Sequence, residues 1–131
     1  MFSQIRTSKE NKEVVSKLSY RLGLGAENVI ARIAFSYSLS QDIKLDVNDM
    51  LNSSGKEYSK SVLFGDNINT YVGMICTHYN LYKTDKDIPK YIKLHLDHGL
   101  ELIDSELEDR PNVDGFDFLI EKVGKGLSEL V

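Results

Sequence analysis

Phe2-Ser3-Gln4-Ile5-Arg6-Thr7 is the stretch whose reading decides the fold, because it alternates and then stops alternating. Ile5 stands between polar neighbours, so a period of two puts Gln4 and Arg6 on one face and Ile5 on the other. Thr7-x-x-Glu10 follows, a capping box in which hydroxyl and carboxylate satisfy each other's free backbone N–H groups. From there to Leu39 the chain reads as helix, glycine turn, helix. Strand, helix, glycine, helix is the order of small β-ribbon DNA readers, in which two chains pair their strands and lay the ribbon in the major groove. Gln and Arg make bidentate contacts to purine edges, which makes Gln4 and Arg6 candidates for DNA contact.

Working outward, the first helix is expected from about Ser8 to Leu22, with Val14, Val15, Leu18 and Leu22 on one side and Gly23 as its stop. Its other side carries Lys9, Lys12, Lys17 and Arg21, diluted by Glu10 and Glu13. The second helix, about Ala26 to Ser38, is apolar nearly all round. Val29, Ile30, Ile33, Ala34 and Tyr37 form one stripe, Ala31, Phe35 and Leu39 fill the opposite side, and Asn28, Arg32 and Ser36 leave only a narrow polar line. Such a helix is buried on most sides, in the centre of the domain or at a subunit interface. The expectation is an oligomer with Val29, Ile30, Ile33, Phe35 and Tyr37 at the interface.

Beyond it, residues 41–56 are turn-rich, with Asn52-Ser53-Ser54-Gly55 as the clearest break. A short helix is expected over Lys56–Phe64, ended by Gly65, and Asp66 reads as the N-cap of a third long helix striped by Ile68, Tyr71, Val72, Ile75 and Tyr79. Lys83 to Asp87 is a polar connection. Pro89 opens a fourth long helix in which Ile88, Tyr91, Ile92, His95, Leu96, Gly99, Leu100 and Ile103 keep the helical period. After Arg110-Pro111-Asn112, Asp114 caps a last helix whose core stripe is expected to be Phe116, Leu119, Ile120, Val123 and Leu127. The fold class is mainly α: one oligomeric domain, 1–131, with a ribbon-helix-helix-like N-terminal half followed by further packed helices.

Composition narrows the class. Apolar residues at 41% and charged residues at 27% are ordinary for a globular domain. No apolar run approaches the roughly 18 residues of a membrane span, and the first residues lack the order of a secretory signal. A single cysteine, Cys76, fits a reducing compartment, so a cytoplasmic protein without membrane attachment is expected. The net charge of −4 is unevenly spread: residues 1–93 carry 13 Lys and Arg against 10 Asp and Glu, while residues 94–131 carry 3 against 10. That asymmetry suggests a neutral-to-basic working surface and an acidic appendage.

Catalytic signals are weak. His95 and His98 stand at a spacing that can bring two ligands to one metal, but His95 lies on an apolar stripe, where a hydrogen-bonded structural histidine is the commoner case. His78 is on another helix. Glu101, Asp104 and Glu108 share a helix face with nothing apolar around them, unlike a tuned carboxylate pair. The phosphate-loop and dinucleotide fingerprints are missing, as is a nucleophile elbow. The expectation is no catalytic residue, no metal and no cofactor.

Four segments together resemble the DndE family of DNA sulfur-modification proteins. Arg32-Ile33-Ala34-Phe35-Ser36-Tyr37-Ser38-Leu39 is similar to the family's Arg-x-Ala-Leu-Cys-x-Ser-Leu, with Phe35 and Ser36 departing from the Leu-Cys pair. Gly55-Lys56-Glu57-Tyr58-Ser59-Lys60 resembles Gly-x-Glu-Phe-Asn-Arg, with Lys60 keeping the cation but not the planar fork. Leu63-Phe64-Gly65-Asp66 is close to Leu-x-Gly-Glu, and His95-Leu96-Asp97-His98-Gly99 to His-Ile-x-Arg-Gly, with His98 in the place of an arginine. The acidic stretch after Ile103 falls outside the resemblance.

The resemblance implies a mostly helical, non-catalytic subunit that forms homo-oligomers, typically tetramers, and binds DNA, nicked duplex included. It implies partners that mobilise sulfur and hydrolyse ATP in the phosphorothioation system. Candidate DNA contacts are Gln4, Arg6, Lys9, Lys12, Lys17, Lys44, Lys56 and Lys60. Cys76 lies in an apolar helix without a neighbouring cation in sequence, the opposite of an activated thiolate. Two other readings stay open: a ribbon-helix-helix regulator or antitoxin that reads an operator through Gln4 and Arg6, and a protein-only adaptor.

Overall fold

In the computed structural model, which describes residues 2–129, the first strand finds its partner within the same chain. β1 (Gln4–Arg6) runs antiparallel to β2 (Glu57–Ser59), with Gln4 opposite Ser59, Ile5 opposite Tyr58 and Arg6 opposite Glu57. The alternation holds, since Ile5 and Tyr58 are buried while Gln4, Arg6, Glu57 and Ser59 are exposed. This corrects two expectations. The strand of the expected two-chain ribbon is paired in cis, and residues 57–59 are not the start of a helix. The reason is the Glu57-Tyr58-Ser59 alternation, which gives Ile5 an apolar partner; closing the long intervening loop costs only a logarithmic entropy term. The short helix is trimmed to α3 (Lys60–Phe64), which Ser59 caps by accepting from Val62 N.

α1 (Lys9–Leu22) stops at Gly23, whose left-handed φ of 65° suits glycine. Its N-cap is Ser8, which accepts from Asn11 N at 3.1 Å, and not Thr7. Thr7 is buried, and its hydroxyl accepts from Lys56 N at 2.9 Å, so it joins β1 to the approach of β2. Glu10 takes the Asn52 amide instead of completing a box.

α2 (Glu27–Ser40) is the central helix. α1, α3 and α5 (Ile88–Leu107) all pack on it. Ile30 and Phe35 are therefore fully buried inside the protomer, which removes them from any subunit interface; Val29, Ile33 and Tyr37 keep partial exposure. The closest approach is α2 on α5, where a Cβ added at Gly99 would lie 1.8 Å from the Ala34 carbonyl oxygen. Phe35, Phe64 and Tyr71 form an aromatic cluster with centroids 5.1 Å (Phe35–Phe64) and 4.5 Å (Phe64–Tyr71) apart, joining α2 and α3 to α4 (Ile68–Tyr79). A 3-10 turn over Gly65–Asn67 precedes α4, so Asp66 is not its cap.

α6 (Gly115–Glu129) is capped as expected, Asp114 accepting from Asp117 N at 2.8 Å. Its expected core stripe is reversed. Phe118 is the residue that enters the core, whereas Phe116, Ile120, Val123 and Leu127 are 72%, 56%, 61% and 59% exposed. Leu119 alone of that stripe packs partly against the core. Lys122, one turn on from Phe118, lies beside it: the lysine Nζ pairs with Glu106 at 2.7 Å and lies over the Tyr37 and Phe118 rings.

Candidate nucleic-acid interface

The corner between β1 and α1 is set by a carboxylate far along the chain. Asp97 Oδ1 accepts from Ser8 N at 3.0 Å and from Asn11 Nδ2 at 2.8 Å, while Oδ2 pairs with Lys93 Nζ at 2.7 Å. All four residues are buried. A buried ion pair survives only where further hydrogen bonds satisfy it, and here those bonds fix the direction in which β1 leaves α1. Neither Lys93 nor Asp97 stood out in sequence, because each sits among apolar residues that already explain the helix.

From this corner Gln4 and Arg6 point outward. Arg6 is paired with Glu57 at 2.8 Å across the strands, both half-exposed. The other cations are dispersed. Lys9 and Lys12 stand exposed on α1. Lys17 pairs with Asp104 of α5, and Lys56 lies 3.8 Å from Glu27 and over the Tyr58 ring. Lys60 opens α3, its N–H donating to Ser3 O. Lys44 sits on the loop after α2, donates to the His78 carbonyl and lies over Tyr79. It shares a small hollow with His98 and Glu101, separate from the hollow beside β1. Ile33 and Tyr37 line a groove of about 660 Å³ between α2 and α6 with Lys122 and Val123.

Three lysines that sequence reasoning did not single out, Lys83 and Lys86 of the connection and Lys90 of the fourth helix, lie near β1. Lys90 lines a shallow hollow with Gln4 and Arg6, and Lys83 and Lys86 line the next one with Phe2; Pro89 borders both. Their spacing by three and four was the available signal. Lys90 also pairs with Asp87 at 3.3 Å.

All three histidines meet near the 43–45 loop. Leu45 N donates to Tyr79 Oη at 2.9 Å, Tyr79 Oη contacts His95 Nε2 at 2.6 Å, and Ser38 Oγ contacts both His95 Nδ1 (2.8 Å) and His98 Nδ1 (2.7 Å). One direction uses every donor: Tyr79 donates to His95 Nε2, His95 Nδ1–H to Ser38, and Ser38 to His98. The reverse leaves the Tyr79 hydroxyl proton without an acceptor among the described residues. Burial, helped by nearby His78, His98 and Lys44, pushes the His95 imidazole down to about 4. Burial lowers His98 as well. This is a neutral packing network between α2, α4 and α5. Among the described residues, no group of three or more His, Cys, Asp or Glu is placed to hold a metal. Asp104 is engaged by Lys17, and burial raises the exposed-face Glu101 with Asp97 adding to it.

Three of the four segments singled out in the sequence are joined by contacts, residues 32–39 to residues 63–66 and 95–99, and the second, residues 55–60, is tied to Thr7. Arg32 Nε donates to Leu63 O at 2.7 Å and its Nη2 to Val62 O at 3.2 Å, filling free carbonyls at the end of α3. Ser38 meets His95 and His98, and Gly99 lies against Ala34. Gly55 N donates to Thr7 O. These residues hold α2, α3, α5 and the strand pair together.

A family model described as DNA sulphur modification protein DndE matches residues 4–110. No curated protein matches. Among solved structures, that of DndE from Escherichia coli B7A, involved in DNA phosphorothioation modification, is similar with a TM-score of 0.63 and 17% identity, over 79% of this chain and 98% of that chain. A DndE mutant involved in DNA phosphorothioation gives a TM-score of 0.65 at 17% identity, with the same coverage. At this identity the likeness is one of fold, and α6 lies beyond the residues that the family model matches.

Proposed function

The chain belongs to the DndE family of DNA sulphur modification proteins, and on that premise we propose that it is a non-catalytic DNA-binding subunit of the phosphorothioation machinery. It holds the DNA backbone, nicked duplex included, as a homo-oligomer, while sulfur-transfer and ATPase partners replace a phosphate oxygen with sulfur. The exposed face of β1 supports this most directly: Gln4 and Arg6 stand outward, with Lys90 beside them and Lys83 and Lys86 next along. An exposed pair such as Arg6–Glu57 is worth little in water, so Arg6 can exchange the carboxylate for a phosphate at small cost. The in-chain pairing of β1 with β2 favours backbone contact over a two-chain ribbon reading an operator. The histidines support a non-catalytic role, since their ring nitrogens are used in helix packing.

Fluorescence anisotropy with intact, nicked and single-stranded DNA of unrelated sequences, across a salt series, tests the proposal. Binding that ignores sequence, prefers nicked duplex and weakens steeply with salt supports it. Each phosphate contact contributes about 0.9 to the slope of log K against log salt, so Arg6→Ala with Lys90→Ala should flatten the slope by about 2 for every sequence. Tight binding of one sequence indicates a regulator, and no binding to any DNA indicates an adaptor.

A further inference from the structure

α6 carries an apolar seam that the other described residues leave exposed. Phe116, Ile120, Val123 and Leu127 follow one another at intervals of four, three and four, the spacing of a two-helix seam, and all four are more than half exposed. Phe118 and Lys122, on the opposite side of the helix, anchor α6 to the body, so its outward face is fixed.

We propose that this seam is where a second copy of the chain docks, α6 against α6 in antiparallel order about a two-fold axis. This deepens the self-association proposed above by naming its surface. Charge, shape and area favour a second copy. DNA is disfavoured by Asp117 beside the seam and Asp114 at its start, with no cation among the positions that flank it. A lipid surface is disfavoured because interfacial helices carry a basic polar face, whereas here Lys122 and Lys125 stand against Asp117, Glu121 and Glu129 and Lys122 is committed to Glu106. The positions flanking the seam are Asp117, Leu119, Gly124 and Gly126, a set with one charge and none of the charge pattern that selects a foreign helix.

The seam is also self-complementary in shape. Antiparallel order brings Ile120 opposite Val123 and sets the large Phe116 of one copy beside Leu127 of the other, where Gly124 and Gly126 leave room. A Cβ added at either glycine meets nothing within 4 Å. Opposed helix ends add a favourable dipole arrangement. The four side chains expose on the order of 500 Å² per copy, so pairing two seams buries at most about 1,000 Å², the threshold of a specific interface.

The test is light scattering on the full chain at micromolar concentrations, with Ile120→Glu/Val123→Glu as the variant and circular dichroism as the folding check. The expected result is a multimer whose mass halves in a folded variant; should that variant not fold, Leu127→Glu alone serves. A multimer whose mass the variant leaves unchanged overturns the α6 seam but not self-association. A monomeric wild-type chain overturns both, including when it sediments with phosphatidylglycerol vesicles through these residues. Spin labels on Ser128→Cys in a Cys76→Ser background report the order. Antiparallel pairing separates them by about 20 Å along the axis, and labels lying side by side would overturn it.

Discussion

Asp97 is the residue on which the geometry of the N-terminus turns. It serves Ser8 N, Asn11 Nδ2 and Lys93 Nζ at once, at 3.0, 2.8 and 2.7 Å. Removing one member of a buried pair leaves the other charge uncompensated, so Asp97→Ala is expected to cost about 3–5 kcal/mol in urea unfolding. His95 gives a second expectation, in pH. Its folded value of about 4 lies below the ordinary 6.5, so the unfolded chain binds the proton more tightly. The stability from this neutral histidine is complete above pH 6.5 and is lost as pH falls toward 4, on the order of 3 kcal/mol in all. His95→Gln should flatten the wild-type slope of urea stability between pH 7.5 and pH 5; an unchanged slope would assign the dependence to other groups. Ile5 and His95 could be placed from the sequence because a single residue on a regular stripe has one side to go to. Asp97 could not: Lys93 is one turn away, but Asn11 and Ser8 lie 86 and 89 residues away and nothing local announces them.

At the scale of elements, helix boundaries came through and partners did not. The five long helices end close to where glycine, proline and polar breaks put them. Strand β2 was hidden in a segment of three residues, too short for alternation to outweigh helix propensity. α6 shows the other limit. Its period revealed that Phe116, Ile120, Val123 and Leu127 form one face, but a period carries no information about what that face meets. Phe118, a single aromatic off the stripe, made the contact with the body. The crossing of α2 and α5 depends on Gly99. With Ala34 O at 1.8 Å from an added Cβ, Gly99→Ala forces the two helices apart and is expected to cost about 1–3 kcal/mol or more. Arg32 ties α2 to the end of α3 through two carbonyls. Arg32→Lys keeps the charge but not the fork, and is expected to lower the thermal midpoint measurably in calorimetry.

For the whole molecule, charge is divided along the chain. The acidic residues gather in residues 94–131, and β1 with Lys83, Lys86 and Lys90 precedes them. The candidate DNA contacts themselves were only partly legible. Gln4 and Arg6 share a hollow with Lys90, but Lys17, Lys44 and Lys56 are drawn into contacts elsewhere. A lysine's position along the chain does not reveal which face it shares with others. Lys83→Ala/Lys86→Ala is expected to weaken DNA binding to every sequence alike, while Lys44→Ala leaves it nearly unchanged, as measured by anisotropy at fixed salt. The buried corner at Ser8 has a further consequence, for how the protein is made. The ribosome releases the first two helices long before the carboxylate that Ser8 N will bind, 89 residues downstream, has been synthesised. Strand β1 likewise waits for Tyr58. The N-terminus is therefore first out and last to lock, and a nascent chain stalled before Asp97 has its opening helices but not the latch that aims its first strand.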